Sequence, residues 1–165
     1  MDHKEESFRK IFRENSRKIY HLCYGYTGDE DSANDLMQET FLKVWQNLDK
    51  FRNQAMISTW IYRIAVNTCL SWLRVEKRQQ KDELTDKIIE NKAEEYSEMN
   101  EKVALLYKCI SQLEENERII ITMVLDELPY PEIAQISGIS EGNLRVKIHR
   151  IKQKLTEIYN RYERF

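Results

Sequence analysis

The sequence predicts an all-α chain of two small helical domains joined by an acidic linker, and three observations carry that expectation. Its 165 residues include only 4 glycines and 2 prolines, too few for a strand-and-turn architecture. Apolar residues recur at spacings of three and four in two separate blocks, the period of amphipathic helices. From about Lys81 to Glu101 the residues turn polar, with Asp82, Glu83, Asp86, Glu90, Glu94, Glu95, Glu98 and Glu101 against only Lys81, Lys87 and Lys92. Domains are therefore expected at 1–80 and 103–165, with a linker at 81–102 that is either partly helical or disordered.

Each element has a local reason. Phe8, Ile11, Phe12, Ile19, Leu22 and Cys23 form the apolar side of a first helix. Gly28-Asp29-Glu30-Asp31 breaks it, and Asp31 or Ser32 can cap a second helix running to about Leu48, with Ala33, Leu36, Met37, Thr40 and Val44 on one side. Phe51 to Met56 reads as a loop, followed by a long third helix from Ile57 or Ser58 past Arg74. Beyond the linker, Val103 to Leu113 and Glu115 to Asp126 read as helices. A short helix at Pro131 to Ser137, a turn at Gly138 and a last helix from Glu141 to about Tyr159 complete the chain. Pro131 suits a first helical turn, where its missing N–H costs little.

Several classes are excluded early. With 26 basic and 28 acidic side chains the formal net charge is −2, which rules out a uniformly basic nucleic-acid coat but not local basic surfaces. No apolar run reaches the ~18 residues of a membrane span, and MDHKEESFRK lacks the apolar core of a secretion signal, so a cytoplasmic protein without membrane insertion is expected. Cys23, Cys69 and Cys109 lie far apart with no CxxC pair. They read as buried fillers in a reduced compartment, with no metal and no cofactor expected.

The most legible motif is Pro131-Glu-Ile-Ala-Gln-Ile-Ser-Gly-Ile-Ser-Glu-Gly-Asn-Leu-Arg-Val-Lys-Ile-His-Arg150, which has the chemistry of a helix-turn-helix. Ala134 lets two helices approach, Gly138 supplies the freedom of a tight turn, and Ser140 can cap the second helix. Ile133, Ile139, Leu144 and Ile148 can close a small core, and Leu144, Ile148, Ile151 and Leu155 form one buried stripe. Val146, His149 and Arg150 point away from that stripe, with Arg145 and Lys147 on its flanks. Such a surface can enter a major groove, Arg reaching base edges and Lys phosphates; it can equally be a solvated helix face.

The third helix carries a second signal. Trp60, Arg63, Asn67, Ser71 and Arg74 share one polar stripe, extended by Lys77 and Arg78, while Ile61, Ala65, Thr68 and Trp72 lie on the side expected to be buried. Cations that hold a backbone, beside an aromatic and an amide that engage bases, suit single-stranded DNA. A surface helix with a half-buried Trp60 accounts for the same composition.

Two motifs together resemble a known family. Asp35-Leu-Met-Gln-Glu-Thr-Phe-Leu-Lys-Val-Trp45, Phe51-Arg52 and Thr59-Trp-Ile-Tyr-Arg-Ile-Ala-Val-Asn-Thr68 resemble region two of bacterial RNA polymerase sigma factors. Leu113-Glu-Glu-Asn-Glu-Arg118 with Pro131 to Leu155 resembles region four, and the spacing is similar to the extracytoplasmic-function (ECF) subgroup of the sigma-70 family. The resemblance covers nearly everything but the linker and the extreme ends.

It implies a subunit that binds core polymerase, reads the −35 and −10 promoter elements and promotes melting. Asp35, Gln38, Glu39, Phe41 and Trp45 stand where the family contacts the clamp coiled coil of the largest subunit; the flap is a second implied contact. Carboxylates and an amide beside exposed aromatics would make a polar rim with an apolar anchor there; alternatively, Phe41 and Trp45 are ordinary core residues. By the same resemblance Phe51, Arg52, Asn53, Ser58, Trp60, Arg63, Asn67 and Arg74 belong to the melted −10 strand, with Phe51 and Asn67 in the pocket of a flipped base. Arg145, Val146, Lys147, His149 and Arg150 belong to the −35 duplex. Val146 replaces a frequent small polar residue, which leaves base preference open; Asn143 replaces a common threonine without obvious consequence. The family is often held by an anti-sigma protein, and two domains on such a linker can pack together and hide both DNA surfaces.

Two rivals remain at this level. An enzyme lacks support, since no phosphate loop, HExxH or nucleophile elbow is present. A helix-turn-helix regulator binding duplex DNA as a dimer explains the carboxyl-terminal block but has no need of the Trp60, Arg63, Asn67, Arg74 stripe. The near-zero charge sum then reads as cancellation, with acids in Asp29 to Glu39 and the linker against bases in Arg63 to Lys81 and Arg145 to Lys154.

Overall fold

The computed structural model describes residues 2–82 and 100–164, and among them every regular element is helical. Four elements form the amino-terminal domain: α1 (His3–Thr27), α2 (Glu30–Asn47), a short 3-10 turn at Leu48–Lys50, and α3 (Ile57–Asp82). Four more follow: α4 (Glu101–Ile110), α5 (Glu115–Leu125), α6 (Tyr130–Ser137) and α7 (Glu141–Glu163). The linker expected at 81–102 falls largely outside the described residues.

Caps fix the ends. Asp2 accepts from Lys4 N–H at the start of α1, and Gly28 ends that helix at φ 70°, returning its N–H to the Tyr24 carbonyl. The next helix then starts at once. Its cap is Asp29, which accepts from both the Ser32 N–H (3.0 Å) and the Ser32 hydroxyl (2.7 Å), not Asp31 or Ser32 as the sequence suggests. Glu114 and Glu117 form a reciprocal capping box on α5. Gly138 closes α6 at φ 70°, and the Ser140 hydroxyl accepts from Asn143 N–H to open α7.

The amino-terminal core gathers Ile19, Leu22, Leu36, Val44, Ile61 and Ala65, all at most 1 % exposed. The carboxyl-terminal core gathers Ile110, Ile120, Met123, Ile133, Leu144 and Ile151. Ile139 and Leu155, expected in it, are only partly covered. Cys23 and Cys69 are buried with their sulfurs 3.9 Å apart, joining α1 to α3, and the hydrogen bond between them together with burial drives the Cys23 thiol far above its usual range.

The domains pack on each other. Residues 22–26 of α1 are all buried, so that stretch is covered on every side: by α2 and α3 on one, by α5 on the other. In α3 the buried set includes Ile61, Ala65 and Thr68 as expected, with Trp72 half-buried, and adds Tyr62, Val66 and Cys69. Part of this second arc faces α6, a neighbour no local pattern announces.

Candidate nucleic-acid interface

The loop from Phe51 to Met56 and the outer side of α3 make the first surface. The Met56 carbonyl accepts the Trp60 N–H (3.1 Å), and Asn53 takes a left-handed conformation at φ 55° that turns the loop back toward the helix. Phe51 and Trp60 lie ring to ring, centroids 5.0 Å apart and 37° between planes, both half-buried. Beside them Arg52, Asn53, Asn67 and Arg74 are exposed and Ser58 is half-buried. All eight residues assigned to the melted strand thus belong to one loop and the helix it leads into. Met56, 64 % exposed at the end of the same loop, is an apolar side chain outside those eight. Arg63 is also exposed, but its guanidinium donates to the Gln135 carbonyl of α6 at 3.2 Å.

The second surface is the amino-terminal half of α7. Leu144 and Ile148 are buried against α6, which turns Arg145, Val146, His149 and Arg150 to solvent and leaves Lys147 half-buried. Val146 is 52 % exposed. Arg145 pairs with Glu141 one turn back (3.0 Å) and lies 5.2 Å over the Tyr130 ring, contacts that hold its guanidinium at the edge of the recognition face. A groove of about 560 Å³ runs between this face and α5, lined by Asn143, Val146, Lys147, Arg150, Lys154 and Glu117. Lys154 bonds Glu117 at 2.6 Å, and that bond raises its ammonium above the usual value.

The third surface is the outer side of α2. Asp35, Gln38 and Glu39 are exposed and Trp45 is half-buried, its ring edge-on to Phe8 at 5.3 Å with the Lys4 ammonium 4.7 Å above it. Phe41 is not on this surface. It is 3 % exposed and meets Phe8 and Phe12 edge to face, 6.3 and 4.8 Å away. The exposed apolar position is its neighbour Leu42, 56 % exposed. A sharp difference follows. Phe41→Ala should cost about 3–5 kcal/mol of stability, as truncation of a buried aromatic does, whereas Leu42→Ala should leave the melting temperature within about a degree or two. Thermal unfolding by circular dichroism separates them; equal melting temperatures would put Phe41 back on the surface.

Domain packing does not hide either DNA surface as a whole: of the thirteen residues assigned to DNA, none is buried, and Arg63 bonds across the domain contact. The junction has partly buried polar chemistry of its own. His21 Nδ1 lies 3.0 Å from Asp126 Oδ1, and the Arg118 guanidinium donates to the Tyr26 carbonyl at 2.9 Å. Burial, with the carboxylates of Asp126 and Glu132 nearby, pushes the Tyr62 phenol well above its ordinary value. Among the described residues no group of three His, Cys, Asp or Glu is placed to hold a metal ion, and no helix is long and apolar enough to cross a membrane.

Comparison with known proteins agrees with this layout. Residues 11–79 match the family model for sigma-70 region 2, and residues 104–155 match that for sigma-70 region 4. The chain is 27% identical over 155 residues to the ECF RNA polymerase sigma factor SigM of Bacillus subtilis, covering 92% of this chain and 94% of that one. It is 29% identical over 164 residues to the ECF RNA polymerase sigma-E factor of Escherichia coli, covering 92% and 85%. The same fold occurs in the sigma factor RpoE of Bartonella quintana, solved in complex with the anti-sigma factor NepR, at a TM-score of 0.78 and 19% identity over 94% of this chain and 98% of that one. With both regions present in order and at this separation, the chain belongs to the ECF group of the sigma-70 family of RNA polymerase sigma factors.

Proposed function

We propose a division of labour for this sigma factor in which three faces of a small helical chain serve three contacts. As a member of its family the chain binds core RNA polymerase, recognises −35 and −10 promoter elements and promotes melting. The residue-level reading is ours. Asp35, Gln38 and Glu39, with Leu42 and the edge of Trp45, meet the clamp coiled coil of the largest subunit, giving a carboxylate-rich rim around an apolar centre. Arg145, Val146, Lys147, His149 and Arg150 enter the −35 major groove, where Arg reads base edges and Val146 meets a thymine methyl. Phe51, Arg52, Asn53, Ser58, Trp60, Arg63, Asn67 and Arg74 hold the melted −10 strand. Phe41 drops out of the contact set, and Met56, already in the loop, joins the residues that meet the strand. Residues 1–80 and 103–165 act as the two functional domains, joined by 81–102.

The chemistry here is binding. Extruding a base from the stack costs a few kcal/mol, least where the duplex is weak, and a pocket that holds the base supplies that energy. The chain contributes no catalytic group of its own to RNA synthesis in this reading, takes no cofactor, and works in the cytoplasm where its polymerase is. An anti-sigma protein is a further partner, as NepR is for the Bartonella RpoE.

The observation that carries the proposal is the Phe51–Trp60 ring pair set beside exposed Asn67, Arg52 and Arg74, a base-stacking platform with cations along one edge. A duplex-binding dimer has no use for it. Mixing the protein with bacterial core polymerase and a promoter library should give defined transcript starts that core alone does not give. No defined start with a core shown active by another sigma factor would refute the proposal.

A further inference from the structure

Both prolines of the chain flank one residue, Tyr130, where α6 begins. A proline ring locks its own φ at about −65°, and Pro129 stands at φ −58°, so the backbone on either side of Tyr130 is stiff before any tertiary contact forms. The Tyr130 ring is half-buried against the core, and the Arg145 guanidinium lies 5.2 Å from its centroid. Glu141, in the first turn of α7, accepts a hydrogen bond from the same guanidinium at 3.0 Å. Arg145 is thus held at two points, one on each helix of the helix-turn-helix. Arg150, the other arginine of the recognition face, has no ion pair or ring contact with any other described residue. An arginine on a free stem samples many rotamers, and its flat fork meets the two acceptors of a base edge in one orientation only. Tyr130 and Glu141 remove that search for Arg145; nothing comparable removes it for Arg150.

We propose that Tyr130 is a positioning residue for promoter reading: fixed between two prolines, its ring sets the plane of the Arg145 guanidinium, so that base preference at one upstream position is imposed from α6 as well as from the recognition helix. The proposal rests on the assignment of α7 to the −35 duplex made above. An exposed cation–ring contact is of a strength that corresponds to about two- to fivefold in affinity. That gain is confined to the correct base, because a mismatched edge lacks the pair of acceptors that an oriented fork can use. Tyr130 carries no charge, so attraction to the phosphates, and with it the salt dependence of binding, does not pass through it. The residue therefore contributes to discrimination without contributing to the electrostatic part of affinity.

The test titrates the full chain against the upstream duplex it prefers, selected from a randomised library, and against every single-base variant of that duplex. Tyr130→Leu, which keeps an apolar side chain but no ring face, should lower affinity for the preferred duplex about two- to fivefold. Discrimination at one base position should fall by the same factor, while the other positions and the salt slope hold. Tyr130→Phe keeps the ring and should retain wild-type discrimination. In an Arg145→Ala background Tyr130→Leu should have no further effect, because it acts only through that guanidinium. Glu141→Gln, at an exposed position outside the core, should weaken the same base preference by up to about twofold, so the test survives a Tyr130 variant that does not fold. A loss spread evenly over all positions, or one that persists in the Arg145→Ala background, overturns the positioning role. A loss in Tyr130→Phe equal to that in Tyr130→Leu assigns the effect to the phenol oxygen and overturns it as well. If Arg145→Ala alone changes neither affinity nor base preference, the assignment of α7 to the duplex fails, and the positioning role falls with it.

Discussion

Replacing Arg145 and Arg150 together by Ala should weaken binding to the upstream promoter duplex by about 2–6 kcal/mol, each good guanidinium–base contact contributing about 1–3. The fold should not notice. Both side chains are exposed, and Arg145 gives up only a surface pair with Glu141, a contact of a few tenths of a kcal/mol, and a cation–π contact with Tyr130. The logarithmic salt slope of duplex affinity should also flatten by between about one and two, since each arginine that sheds a counterion contributes close to one. Val146→Thr should behave differently. It adds no charge and loses none, so the salt slope should hold while the preferred base at one position shifts. Anisotropy titrations at several salt concentrations, on the native duplex and on single-base variants, read both effects. An unchanged affinity and slope for the double variant would remove α7 as the recognition helix.

That helix was the part of the site most legible in the sequence, because its signals are local. Gly138 takes the left-handed conformation a tight turn needs, Ser140 supplies a cap two residues later, and the Leu144, Ile148, Ile151 stripe follows the helical period. Reading outward from the buried stripe then placed Arg145, Val146, His149 and Arg150 correctly on the solvent side. What the sequence could not place were burials made by distant partners. Tyr62 sits outside the apolar stripe of α3 and is 2 % exposed, because a second domain covers it. Phe41 lies next to an exposed position on α2 and is buried because Phe8 and Phe12 of α1 close over it. The cap of α2 was missed by two residues for a related reason. Three consecutive acids can each serve, and only the left-handed end of α1 at Gly28 decides that the chain re-enters a helix at Asp29.

The distribution of charge gains meaning from the same contacts. A chain of net charge −2 has little field to draw it to DNA from a distance. Its exposed basic side chains are instead placed by helices, on the outer edge of α3 and the first half of α7. In the proposed division of labour each surface alone is expected to bind DNA modestly. Held on core enzyme, the two act on one promoter at high effective concentration, and their affinities compound. The acids of α2 are exposed at Asp35 and Glu39, and Glu39 pairs with Lys43 at 2.9 Å.

The second large effect concerns melting. Asn67→Ala should lower open-complex formation by about 10- to 100-fold, the equivalent of about 1–3 kcal/mol for one base-recognition contact, while duplex affinity stays within about twofold. Asn67 is exposed in mid-α3, and Ala is the better helix former, so neither the helix nor the core should lose stability. Trp60→Ala should act on the same step through a different force, removing a stacking face worth about 1–3 kcal/mol per base. It also strips Phe51 of its ring partner at 5.0 Å, so some loss of stability is expected for this variant alone. Permanganate reactivity of unpaired thymines in the holoenzyme–promoter complex reports melting, and gel shift at low temperature reports the closed complex. If Asn67→Ala lowered both by the same factor, the residue would be a general affinity contact. A loss confined to melting places the amide at the base itself, because only a group that meets the unpaired strand can favour the open complex without favouring the closed one.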